Sequence, residues 1–345
     1  MSAEALRAAI RRLAGGASLG AEEAFAAFDE VMRGDGSATQ VSALLMGLRV
    51  KGETADEVAG AARALRAAMV VLPADAPEQL VDTCGTGGGS VPTFNISTAA
   101  AFVAAGAGAR VAKHGNRSFT SQCGSADVLE ALGVGVEVPV ETMRRALADA
   151  GIVFMFAPLM HPAMRHVGPV RRELAIPTVM NIVGPPANPA RAGRQVVGVA
   201  DERRMPLIAG ALAALGSEHA LVVHGAPGLD EISPLAETRV LEVRDGRTEE
   251  WTIDPARLGA RTSTAAELAG GSPADNARTV LEVLGGAGAP GARAAVALNA
   301  GAALYVAGRA PSFADGVELA RATIADGKGL AALERLRAAT SGGGA

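Results

Sequence analysis

Over the first seventy residues, hydrophobic positions recur at intervals of three and four. Leu6, Ile10 and Leu13 share one helical face, as do Phe25, Phe28 and Met32, then Val41, Leu44, Leu45 and Leu48. Thr54 with Glu57 three residues on is a capping box, and it opens a fourth helix carrying Val58, Leu65 and Met69. The segment VLPADAPEQ then breaks the period with two prolines and reads as a hinge.

Beyond the hinge the pattern becomes strand, loop, helix, repeated. Short apolar runs at Leu80–Thr83, Arg110–Ala112, Ile152–Phe156, Val196–Val199 and Leu221–Val223 read as buried strands, which predicts a mostly parallel α/β sheet. TRVLEV and EEWTI flank Asp245-Gly246 and predict a local antiparallel hairpin. From about Asp275 to Arg337 the pattern is helical again, and SGGGA reads as a disordered tail. Ala157 to Pro189 interrupts the alternation: it is proline-rich, carries Arg171-Arg172, and reads as a crossing back towards the first helices. The expected organisation is a small helical domain at 1–72, joined by part of 165–190. An α/β domain would comprise 78–164 and 191–340, with 341–345 as tail and the active site between the domains.

Composition narrows the possibilities. With 345 residues, 3% aromatics and a net charge of −4, the chain lacks both the stacking rings and the positive charge of a nucleic-acid binder. Its two cysteines, Cys84 and Cys123, suggest neither a disulfide scaffold nor a zinc site and fit a reducing cytosol. No signal peptide opens the sequence, and no run approaches the ~20 apolar residues of a membrane span. The expectation is a soluble, cytoplasmic protein.

Three loops, each following a strand, carry the candidate chemistry. Asp82-Thr83-Cys84-Gly85-Thr86-Gly87-Gly88-Gly89-Ser90 leads through Thr93 and Asn95 to a helix starting near Ser97. Glycines admit an anion close to the backbone, and the helix start offers N–H groups and a favourable dipole. The plainer reading is a flexible turn before an ordinary Ser/Thr cap. Neither GxGxxG nor a Walker loop is present, since Ser90 follows Gly89 and Lys328 precedes Gly329. The second loop, Lys113-His114-Gly115-Asn116-Arg117-Ser118-Phe119-Thr120-Ser121 followed by Gly124-Ser125, offers two cations and several hydroxyls, suited to a phosphate ester or simply to solvent. In the third, Asp230-Glu231 reads as a turn acid pair or as a magnesium site. Two phosphate-suited loops beside it favour magnesium.

With these motifs in place, the chain resembles the anthranilate phosphoribosyltransferases along most of its length. The resemblance rests on Gly85–Gly88, Thr93–Thr98, Lys113–Arg117, Gly124–Gly133, Arg171–Leu174, Gly184–Pro189 and Gly228–Glu231, which stand in the family's order. KHGNR with GSADVLEALG is its most specific part. It implies a nucleoside phosphorylase/phosphoribosyltransferase-like fold and phosphoribosyl transfer to anthranilate. Gly85, Gly88, Gly89, Thr93, Asn95, Ile96, Ser97 and Thr98 would hold phosphoribosyl pyrophosphate from one side. Lys113, His114, Gly115, Asn116, Arg117, Ser118, Phe119, Thr120, Ser121 and Ser125 would hold it from the other. Ser97, Asp230 and Glu231 would ligate Mg2+, and Gly85, Asn116 and Arg171 would contact anthranilate. His114 is open to two readings, proton acceptor or structural histidine, while His161 and His166 read as packing or rim residues.

The resemblance also implies a homodimer joined through the helical domain, without nucleic acid or membrane. Three departures stand out: Gly89 replaces the family's usual aspartate, Pro186-Ala187 replaces Leu-Thr, and Pro177 precedes a variable segment. A pyrimidine nucleoside phosphorylase shares the architecture but not KHGNR or GLDE. A nucleic-acid-binding relative would want a basic groove.

Overall fold

The computed structural model describes residues 3–118, 122–260 and 263–341. Its first helices are α1 (Glu4–Ala14), α2 (Ala21–Arg33), α3 (Ala38–Lys51) and α4 (Ala55–Ala67). Ser37 and Thr54 accept from the N–H groups of Gln40 and Glu57, each at 3.3 Å, so both capping boxes close. The Glu57 carboxylate is fully buried. It accepts from the backbone N–H groups of Leu19 and Thr54 at 2.8 Å and from Lys51 at 3.0 Å, tying three segments of the bundle together.

The α/β alternation then runs β1 (Val81–Gly85), α5 (Ile96–Gly106), β2 (Val111–Gly115), α6 (Ser125–Ala131), α7 (Val140–Ala150) and β3 (Ile152–Phe156). The crossing segment holds α8 (Ala157–Met160) and α9 (Gly168–Leu174). After it come β4 (Arg194–Gly198), α10 (Met205–Ala214), β5 (His219–Gly225), β6 (Thr238–Arg244) and β7 (Arg247–Ile253). Five helices follow: α11 (Ala265–Leu268), α12 (Pro273–Leu284), α13 (Pro290–Val306), α14 (Phe313–Ala325) and α15 (Lys328–Thr340).

The sheet order is β3-β2-β1-β4-β5-β6-β7, parallel from β3 to β5 and antiparallel at β6 and β7. The order reverses direction between β1 and β4, which makes their carboxyl ends the topological switch point. Asp245 (φ 50) and Gly246 (φ 72) are both left-handed, as a two-residue hairpin turn between β6 and β7 requires. The chain's one Trp and one Tyr converge on Glu242 of β6. Trp251 and Tyr305 each donate to its carboxylate at 2.8 Å, and the His219 ring lies 2.7 Å away.

Two apolar cores flank the sheet. One gathers α5, α6, α7 and α12 to α15 with β1, β2 and β3. The other joins α1 to α4 with the segment from Ala163 to Ala187, with α10, and with Val197, Val199, Ala220, Val222, Leu241 and Val243 from the sheet's other face. Residues 342–345 lie outside the described residues. Ser341 is tied to α15 through its N–H, which donates to Arg337 at 2.9 Å. No described helix is long and apolar enough to cross a membrane.

Candidate active site

At the switch point, the loop after β1 folds over the loop after β5. The Thr86 N–H donates to the carbonyl of Gly198 at 2.8 Å, Gly87 to the Asp230 carboxylate at 2.9 Å, and Ser90 to the carbonyl of Gly228 at 2.9 Å. Gly87 and Gly88 have φ of 70° and 83°, a conformation that L side chains resist. It leaves the N–H groups of Gly88 and Gly89 without a partner among the described residues. Successive free amides of this kind form an anion-binding concavity. Gly198 closes the floor: any side chain there would overlap the Asp230 carbonyl.

Below the cradle, Ser97, Lys113 and Glu231 meet. The Ser97 N–H donates to Glu231 at 3.2 Å, and the Lys113 ammonium reaches the Ser97 hydroxyl at 3.3 Å and also the carbonyl of Thr83. Lys113 is buried, and burial lowers its pKa, which Asp82 in particular counteracts. Burial pushes Glu231 up to about 8, helped by the adjacent Asp230 charge and opposed by Lys113 and Ser97. Asp230 is also raised by burial. Two neighbouring carboxyl groups that burial biases towards the protonated form, with a hydroxyl beside them, form an all-oxygen donor set that suits a hard divalent cation shared with substrate phosphates. The residues therefore fit magnesium.

The remaining sequence candidates divide by what their side chains do. Asn95 binds its neighbours: its amide donates to the Cys123 carbonyl at 3.2 Å, and its oxygen accepts from Asn276 at 2.9 Å. Ile96 lies in the core, and Thr98 is buried with its hydroxyl unpaired among the described residues. Thr93 is half-buried at the loop's edge, where the next residue, Phe94, donates to the carbonyl of Leu268 at 2.8 Å.

In the second loop, Gly115 packs closely on Ser125 and Phe154. The Ser125 hydroxyl donates to the Asn116 carbonyl at 3.3 Å, and Ser118 N–H to Asp127 at 3.2 Å. The Arg117 guanidinium is spent on Asp127, Glu130 and Glu137. It braces the loop against α6 instead of standing free for a phosphate. Phe119, Thr120 and Ser121 lie outside the described residues.

His114 and His161 are both buried, with ring centroids 4.9 Å apart. Burial holds His114 well below the usual imidazole range and His161 down at about 4, so both rings are neutral. Three of their four ring nitrogens make no hydrogen bond of good geometry among the described residues, and the backbone of Gly184 and Ala187 lies close enough to bear on the rings. His161 packs, as one of its two sequence readings had it, but its pairing with His114 was not foreseen, because sequence spacing carries no sign of it. Arg171 on α9 is half-buried, its pKa lowered by that burial, and makes no ion pair among the described residues; Arg172 beside it is exposed.

Residues 77–330 match the model of a glycosyl transferase family described as its a/b domain, and residues 7–69 match the same family's helical bundle domain. Fold and site thus define a two-domain glycosyl transferase. A curated anthranilate phosphoribosyltransferase from Rubrobacter xylanophilus is 51% identical over 330 residues, 96% of each chain. The anthranilate phosphoribosyltransferase of Thermus thermophilus superposes with a TM-score of 0.91 at 42% identity, covering 96% of this chain and 99% of that one. The Saccharomyces cerevisiae enzyme, solved with phosphoribosyl pyrophosphate and magnesium, gives 0.87 at 27% identity over 97% and 98%. The chain belongs to the anthranilate phosphoribosyltransferase family.

Proposed function

We propose that this protein transfers the phosphoribosyl group of phosphoribosyl pyrophosphate to the amine of anthranilate, releasing pyrophosphate, as a step of tryptophan biosynthesis. The observation that carries the reading is the free-amide cradle at Gly88-Gly89 in a loop bonded to Asp230, whose neighbour Glu231 joins Ser97 and, through it, Lys113. The Gly88 and Gly89 amides hold pyrophosphate oxygens, and Lys113 supplies positive charge beneath them. Ser97, Asp230 and Glu231 hold magnesium, which neutralises the pyrophosphate as it leaves.

On the acceptor side, His114 and His161 offer neutral ring nitrogens to the aryl amine, and Arg171 pairs with the carboxylate of anthranilate. An aryl amine is already a neutral nucleophile at pH 7, so a strong base is not demanded. With His114 held well below its usual range, the site acts by positioning and electrostatics. The yeast relative binds phosphoribosyl pyrophosphate and magnesium, which supports the same pair of ligands here.

The test follows anthranilate fluorescence with phosphoribosyl pyrophosphate and magnesium, comparing the native chain with Arg171→Ala. The native chain consumes anthranilate, and the variant's KM for anthranilate rises at least about tenfold, the scale of a lost charge-assisted pair. A folded native chain without turnover across a magnesium series would sink the reading.

A further inference from the structure

Asp82 is fully buried in β1, yet it faces neither pyrophosphate nor acceptor in the arrangement above. Its two oxygens point to different segments. One accepts from the backbone N–H of His114 at 3.1 Å, and the other from the Asn188 side-chain amide at 2.8 Å. Asn188 is also fully buried, and both polar atoms of its side chain are satisfied. Its amide donates to the Ala112 carbonyl at 2.9 Å, and its oxygen accepts from Ala190 at 2.9 Å and Ala192 at 3.4 Å. Asn188 ends the turn whose Gly184 and Ala187 backbone borders the His114 and His161 rings. From β4, Gln195 pins the same turn by donating to the Pro185 carbonyl at 2.8 Å. A buried carboxylate so placed costs much desolvation, and two directed hydrogen bonds offset it only in one geometry.

We propose that Asp82 is a positioning residue for the acceptor: through Asn188 it fixes the Gly184–Asn188 turn against the His114 ring, and so sets the seat of anthranilate. The inference rests on the acceptor reading under Proposed function. Lys113 sits beside this strap, and Asp82 is the opposite charge that does most to keep it protonated, so the donor side has its own, separable link to the same residue.

Asn188→Ala separates the two links, because it keeps the Asp82 charge beside Lys113. It removes the amide that ties the turn to Asp82 and to the Ala112 carbonyl, and leaves the His114 N–H its bond to Asp82. The kcat/KM for anthranilate falls at least about tenfold, the loss that accompanies a broken buried hydrogen bond to a charged group. The affinity for magnesium phosphoribosyl pyrophosphate, measured by calorimetry on the same preparation, stays within about threefold, well under the tenfold step. Gln195→Met, which removes only the bond to the Pro185 carbonyl, lowers the kcat/KM for anthranilate in the same direction, by at least about threefold, with donor affinity again unchanged.

Parallel loss for both substrates, or no loss for either, overturns the inference. If Asn188→Ala does not fold, Gln195→Met decides: a raised anthranilate KM beside intact donor binding supports the strap, and native values for both substrates refute it. Absence of anthranilate turnover in the native chain would instead strike the acceptor reading itself.

Discussion

Replacing Glu231 with glutamine separates the cost of its charge from the use of its charge. With its pKa at about 8, the Asp230–Glu231 pair retains close to one proton at pH 7 when no cation is bound. From 8 to 7 is one unit, so roughly nine-tenths of the molecules carry that proton, falling to about half at pH 8. A cation takes the ionised form, so binding magnesium phosphoribosyl pyrophosphate displaces it. Calorimetry at pH 7 in buffers of differing ionisation enthalpy should therefore record release of nearly one proton, and markedly less above pH 8.

The stability sign runs the other way. Between about 4.5 and 8 the folded chain holds a proton that the unfolded chain gives up, so this group's contribution to stability declines as pH rises through that window. Glu231→Gln keeps an oxygen to accept from Ser97 but cannot ionise. It should melt no lower than the native chain at pH 7 and higher at pH 9, while proton release vanishes and kcat/KM drops roughly a hundredfold. A native chain that releases no proton, or a glutamine variant that keeps full activity, would refute the placement of this carboxylate at the cation.

Gly198→Ala forces a methyl group into the Asp230 carbonyl, so the acidic pair must retreat from the cradle. Activity should fall by about two orders of magnitude, as misplacement by ~1 Å commonly does, with unaltered activity counting against the floor role. Glu57→Gln keeps an oxygen for only one of the Leu19 and Thr54 N–H groups, turns an amide donor on the other, and removes the charge paired with Lys51. Urea unfolding should show a loss of about 3 kcal/mol at unchanged m-value, and a change within error would show that the bundle does not depend on this carboxylate.

Elements with a local cause were legible in the chain itself. Ile152–Phe156 matches β3 residue for residue because all five positions are apolar and buried, and Asp245-Gly246 marked the hairpin because that turn selects its residues. Strand ends were less legible. β2 continues through Lys113, His114 and Gly115, polar or small residues kept in the ladder by parallel pairing to β3. The helix α6 begins at Ser125, ahead of the apolar run at Val128, because Asp127 accepts from Gly124 at 2.8 Å and caps it.

Within the site, the glycine loop, KHGN and the acidic pair announce themselves by residue type. The roles of Asp82, Asn188, Gly198 and His161 depend on contacts made across the sheet, which no local pattern encodes. Arg117 shows the opposite case: its type suggested a phosphate clamp, while its neighbours on α6 claim it first.

The second core has a bearing on how the chain is made. Helices α1 to α4 leave the ribosome before the segments that complete their apolar faces, which are residues 163–187, α10, and strand residues as late as Val243. A nascent chain carrying only the opening bundle exposes surface that nothing downstream yet covers, so this half waits for long-range closure. The bundle cut out at residue 72 should accordingly be a poor folder alone.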